Sequence, residues 1–223
     1  MINTPDLDAA AVKAMEILRD HNIAEAPVNP LPFLQEYKNV RVMPFTKMAQ
    51  YAGMERHDLV PMFGGNQDAA LFHMAMPGLE NVEYVIVYNL RLPHEIIYRG
   101  IARELGHIAL GHDGMTRHPE ARKAEAMCFA HHLLCPRPII HMIQKSDMPL
   151  TMDALTETVG CSDVCVYDMQ AIPGVHVPAD LNRAVRDLMA PHIHEYIRFH
   201  LSSPLPDRSN VVDLGTYMDF YEE

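Results

Sequence analysis

The chain has 223 residues, of which 48% are apolar and 21% charged. That composition belongs to a folded globular protein with a core of its own, and it excludes disorder or low complexity for the chain as a whole. The formal charge is −11, from 18 Lys and Arg against 29 Asp and Glu, which argues against broad binding to a phosphate backbone. No uncharged apolar run nears the roughly 18 residues of a membrane helix.

The opening residues, MINTPDLDAA, carry acids at Asp6 and Asp8 and no basic cluster. They do not read as a secretory signal, and a cytoplasmic location is expected. The four cysteines, Cys128, Cys135, Cys161 and Cys165, form no C-x-x-C pair. They read as reduced, buried thiols.

Thr4 and Pro5, with acids behind them, predict a helix start, and the helix runs to about His21. After APVNP a short helix is expected around Pro32 to Tyr37, then a strand over Val40 to Val42 and a weak helix from Lys47 to Arg56. Ala69 to Met76 and Val82 to Asn89 read as the two strands of a hairpin joined by PGLEN. From Pro93 the period changes. Ile97, Ile101, Leu105 and Ile108 recur at helical spacing up to Leu110, and Gly111 ends the helix. Pro119 opens another helix that runs to Leu134 and is stopped by CPRP. The remainder is predicted to be helical, with two short helices and a long one near Ala179 to Leu201. The fold class expected is α+β, with 1–142 as one domain and 143–223 as a helical C-terminal region.

The helix from Pro93 carries an oddity. Glu104 falls inside the apolar arc of Ile97, Ile101 and Ile108, and a carboxylate facing a core is costly unless it is paired. His107 lies at the edge of that arc, and Arg103 beside it. On the next helix Glu125 shares a face with Ala121, Cys128, Phe129 and His132. Two carboxylates and an imidazole aimed inward suit a metal site built from two helices. They also suit a buried Arg103–Glu125 or Arg103–Glu104 ion pair, which is the commoner arrangement and the one periodicity alone favours.

The string R-E-L-G-H at 103–107 matches four letters of the zinc-binding form H-E-L-G-H, in which two histidines one turn apart hold the metal and the glutamate serves as base. Eighteen residues after His107 comes Glu125, within KAEAMCFAHHLLCPRPII at 123–140. With APVNPLPFLQEY and VEYVIVYN upstream, the order and spacing of these segments resemble the ImmA/IrrE-type zinc metallopeptidases over most of the chain. The resemblance implies a zincin-like core, zinc as cofactor, Glu104 as catalytic base, and His107 and Glu125 as metal ligands. It also implies hydrolysis of a peptide bond in a helix-turn-helix repressor encoded near a phage or mobile element.

Arg103 departs from the pattern. It stands where the family has its first zinc histidine, and a guanidinium stays protonated and cannot ligate a metal. Three explanations stay open: a pseudoenzyme in which Arg103 replaces the metal charge by pairing with Glu104 and Glu125, an altered copy of an active enzyme, or a substitute ligand such as His112. The more ordinary reading of His112 is a polar residue at a helix C-terminus. His118, His131 and His132 read as solvated or helix-surface residues.

Residues 150–172 have helix-turn-helix spacing around Gly160, with a cap at Ser162. One base, Lys145, against five acids between 145 and 171 is hostile to DNA. That stretch reads as a structural or protein-binding module. DNA binding through 150–172 is thus a minor reading, and the main rival to an enzyme, motivated by the ligand lost at Arg103, is a catalytically inactive, protein-binding regulatory module of the same fold.

Overall fold

The computed structural model describes residues 4–53, 55, 58, 68–73, 83–112, 118–146, 151–160 and 174–201. Among them are eight helices and one three-stranded sheet, an α+β chain that is mostly helical. The elements are α1 (Leu7–Asp20), α2 (Leu31–Leu34), β1 (Val40–Pro44), α3 (Phe45–Ala52), β2 (Ala69–His73), β3 (Tyr84–Tyr88), α4 (His94–Ala109), α5 (Pro119–Leu134), α6 (Arg137–Lys145), α7 (Met152–Val159) and α8 (Ala179–Leu201). Spatial contacts divide the chain into Asn29–Leu105 and a second unit of Met1–Val28 with Gly106–Glu223. This division is by contact and does not follow residue 142.

In the unit of Asn29–Leu105 the strand order is β1-β3-β2. β1 runs parallel to β3, with Val42 opposite Ile86, and β2 runs antiparallel to it, with Ala70 opposite Val87. The expected hairpin strands are therefore paired as predicted, while the PGLEN turn lies outside the described residues. Side chains alternate across a strand. Val85, Val87 and Met43 thus share one face, where Phe45, Met48 and Ala49 of α3 cover them. α3 ends at Gly53 with φ of 62°, the left-handed conformation glycine adopts without strain.

The other unit is helical. α1 is capped by Asp6, whose side chain accepts from the Ala9 N–H at 3.0 Å. The cap thus sits two residues beyond the expected Thr4, because the carboxylate competes well for the first free amides. Ala10, Ala11, Ala14, Met15 and Leu18 give α1 a fully buried stripe, which packs along α5 and α8. Burying Met15 and Leu18 alone contributes about 1.5–3 kcal/mol each. α5 is itself packed closely. A Cβ on Gly106 would lie 2.9 Å from Phe129 Cδ1 and 3.2 Å from the Ala126 backbone. The missing side chain lets the C-terminal end of α4 approach α5 backbone to side chain.

α7 opens on Thr151, whose hydroxyl accepts from the Ala154 N–H, and closes on Gly160 at φ of 65°. The second helix expected after Gly160, with Ser162, Cys161 and Cys165, lies outside the described residues. No described helix is long and apolar enough to cross a membrane.

Candidate functional site

Arg103 and Glu104 stand on α4, where the expected helix over 93–110 is observed as His94–Ala109. Both are buried, at 6% and 5% exposure. Arg103 Nε and Nη2 donate to Glu104 Oε1 at 2.9 and 2.6 Å. The same guanidinium donates to Asp68 from Nη1, at 3.2 Å to Oδ2, and to the Ala69 carbonyl from Nη2 at 2.8 Å. Asp68 was not among the sequence candidates. It is buried immediately before β2 and also lies 3.7 Å from Arg99.

Close approach of α4 to β2 makes this cluster possible. A Cβ on Gly100 would meet the Ala69 Cβ at 2.9 Å and the Asp68 carboxyl carbon at 3.2 Å. Glycine at that position leaves room for the strand.

The cluster also engages the main chain of β2. The Asn89 N–H donates to the Asp68 carbonyl at 2.9 Å, so residues 68, 70 and 72 face β3 in the antiparallel ladder. Residues 69, 71 and 73 then direct their amides and carbonyls to the outer edge. Two of those edge groups are met by side chains. The Ala69 N–H donates to Asp68 Oδ1 at 2.8 Å, and the Ala69 carbonyl accepts from Arg103. Asp68 and Arg103 thus occupy hydrogen-bonding positions that an added peptide strand would use.

Electrostatics match this geometry. Burial opposes the charge of Arg103, yet the Glu104 and Asp68 carboxylates outweigh it and hold the guanidinium's pKa above its ordinary value. Burial pushes the Glu104 carboxyl up, while the neighbouring Arg103 charge pulls against that shift. The guanidinium stays charged throughout the physiological range.

His107, His112 and Glu125 lie in the other unit. Glu125 is 2% exposed; its Oε1 accepts from the Asp6 N–H at 2.7 Å and its Oε2 lies 2.8 Å from His112 Nε2. His112 Nδ1 lies 2.9 Å from His107 Nδ1. With Glu125 as a carboxylate, a neutral His112 donates from Nε2 and accepts at Nδ1, so His107 donates from Nδ1. Gly111 makes the row possible. Its φ of 65° turns the chain at the end of α4 and carries His112 back into a buried position. His112 is therefore no ordinary polar residue at a helix end: its ring bridges an imidazole and a carboxylate.

A zinc ion held by three protein ligands needs three lone pairs converging on one point. His107, His112 and Glu125 form a row instead, with the His112 ring in the middle using both of its nitrogens. Among the described residues no group of three His, Cys, Asp or Glu is arranged to hold a metal ion. Arg103, at the first-ligand position, brings a permanent cation and no lone pair. The donor set present does not fit the zinc centre that the resemblance implies.

Two expected surface histidines are buried. His131 and His132 are both inaccessible to solvent. His132 lies on the face it shares with Glu125 and Phe129, and α5 is enclosed widely enough that His131, outside that face, enters the core as well. His132 Nδ1 donates to the Cys128 carbonyl at 2.9 Å, and burial, with the Arg137 charge adding to it, lowers its pKa to about 3. Cys128 and Cys135 are buried free thiols, as expected. His118 is exposed and caps α5, accepting from the Glu120 N–H.

No protein-family model matches the sequence, and no curated protein or solved structure matches it.

Proposed function

We propose that this chain is a non-catalytic relative of the ImmA/IrrE-type peptidases, a protein-binding regulatory module whose partner is a helix-turn-helix repressor. The observation that carries the reading is the Arg103 clamp. A catalytic glutamate of this motif has to take a proton from a metal-bound water. Here Glu104 Oε1 accepts two hydrogen bonds from a buried guanidinium, and Asp68 shares that cation. A charge-assisted pair of this kind holds its geometry. It replaces the cation that the motif otherwise recruits from solution.

The zincin-like part of the reading rests on topology. β2 is antiparallel to its neighbour, lies at the edge of the described sheet and packs on the motif helix. In an active member that edge would hold the substrate peptide by main-chain pairing. In this chain Arg103 takes up its Ala69 carbonyl and holds Glu104 as well. Substrate pairing and catalysis are blocked by the same side chain.

Titration of the wild type and the Arg103→His variant with zinc by calorimetry tests the reading. It predicts no saturable binding by the wild type and binding near one zinc per chain by the variant. Stoichiometric binding by the wild type overturns it.

A second reading, an active zinc endopeptidase, is favoured by one observation. His112 already touches both His107 and Glu125, so rotation of its ring would offer a third ligand. That reading further requires Arg103 to release Glu104. It predicts zinc-dependent cleavage of a repressor by the wild type.

A further inference from the structure

The described sheet has a second edge, and it is built differently. Among the described residues β1 carries no side-chain clamp of the kind that closes β2. The Asn39 carbonyl accepts from the Tyr84 N–H at 3.0 Å, so in the parallel ladder residues 39, 41 and 43 face β3. Val40 and Val42 then direct their main-chain groups outward. The Val40 N–H is taken by the Tyr37 carbonyl at 2.9 Å. The Val42 N–H and carbonyl project along the edge, and Pro44 ends the pairing surface because it has no N–H to offer.

A groove of about 400 Å3 runs along this edge, lined among others by Leu31, Leu34, Lys38, Arg41, Val42 and Tyr88. Val40, Arg41 and Val42 all line it. Consecutive strand residues point to opposite faces, so a groove touching three in a row follows the edge of the strand rather than one face. Its charged lining residues, Lys38 and Arg41, are both basic and exposed. Neither has an acid within ion-pair distance among the described residues, in a chain whose formal charge is −11.

We propose that the β1 edge docks an extended acidic segment of a partner protein as an added antiparallel strand. One partner residue exchanges both main-chain hydrogen bonds with Val42. Its side chain lies on the face of Val42 and Tyr88, where the groove is apolar. The neighbouring partner residue stands opposite Arg41, where an acid forms a cross-strand pair. The segment recognised therefore alternates apolar and acidic residues. The inference rests on the binding-module reading and gives that module its contact surface, distinct from the closed β2 edge.

The test uses the full chain, labelled with nitrogen-15, and two peptides: acetyl-Glu-Val-Glu-Val-Glu-amide and acetyl-Lys-Val-Lys-Val-Lys-amide. The acidic peptide is expected to give saturable shifts centred on the amides of Val40, Arg41 and Val42. Its affinity should exceed that of the basic peptide roughly tenfold and fall as salt is raised. A variant carrying Lys38→Glu and Arg41→Glu, both at exposed positions, should reverse the preference. Equal affinity for the two peptides, shifts centred elsewhere, or no shift with either peptide overturns the proposal. Zinc content measured on the same sample separates the two claims. Zinc-free protein that ignores the peptides leaves the non-catalytic reading standing and removes this surface. Zinc-loaded, proteolytic protein that takes the acidic peptide at β1 does the reverse.

Discussion

Arg103 Nη2 lies 2.6 Å from Glu104 Oε1 and 2.8 Å from the carbonyl of Ala69. One guanidinium therefore ties a motif carboxylate to the edge of the sheet. The cation is covalently part of the chain, so the arrangement is independent of metal supply, and the buried acids around it depend on it. Removing Arg103 leaves Glu104 and Asp68 buried without their main counter-charge, and breaking such a pair costs about 3–5 kcal/mol. Arg103→Ala should lower the midpoint of chemical denaturation accordingly. Unchanged denaturation would show that the clamp is not holding buried charge.

Gly100 is predicted to be intolerant of alanine for a specific reason. The new methyl would meet the Ala69 Cβ at 2.9 Å and the Asp68 carboxyl carbon at 3.2 Å. β2 would have to move off α4, at about 1–3 kcal/mol for the overpacking, and the Asp68 contact with Arg103 would move with it. Gly100→Ala and Arg103→Ala should then be less than additive in a double-mutant cycle. Full additivity would separate the strand from the clamp.

Acid stability should report His132. Its pKa is lowered from 6.5 to about 3 in the folded chain. Below pH 6.5 the unfolded chain takes up a proton at this position and the folded chain does not. Stability contributed by the neutral ring is therefore complete above pH 6.5 and lost as pH falls towards 3, by on the order of 4 kcal/mol at the lower limit. Denaturation followed from pH 7 to pH 4 should show a steeper decline in the wild type than in His132→Gln. Parallel curves would contradict the assignment.

Cys128 should be chemically silent in the native protein. Burial pushes its thiol up to about 12, and the thiolate is the reactive form. A thiol reagent at pH 8 should leave Cys128 unmodified until denaturant is added, as judged by mass spectrometry of its peptide. Rapid native labelling would show that α5 opens more readily than its packing indicates.

Much of the local structure was legible in the sequence because it follows from local chemistry. The apolar period from Ile97 to Ile108 marked α4, and Gly111 stopped it. The wheel that put Glu104 among apolar neighbours anticipated its burial, and the same argument held for Glu125. Pairing of Arg103 with Glu104, with Glu125 or with both was open on the sequence, and the pair observed is with Glu104. Asp68 was not legible, because its partner is 35 residues away and strand-to-helix contact leaves no periodic trace. An acid set directly before the apolar strand AALFH was the available signal. His112 was named as a substitute ligand, but its place between His107 and Glu125 was not legible, because the left-handed turn at Gly111 takes it off the helical wheel. His131 was misjudged because a helix enclosed on several sides has no solvent face to assign it to, and His132 was read as a surface residue although its wheel position beside Glu125 already pointed inward.

The claim that Arg103 takes the place of a metal ion is tested most directly by elemental analysis of the untagged wild-type protein, purified after growth with added zinc. The account predicts far less than one zinc per chain. A value near one zinc per chain, lost together with a proteolytic activity on chelation, would contradict it.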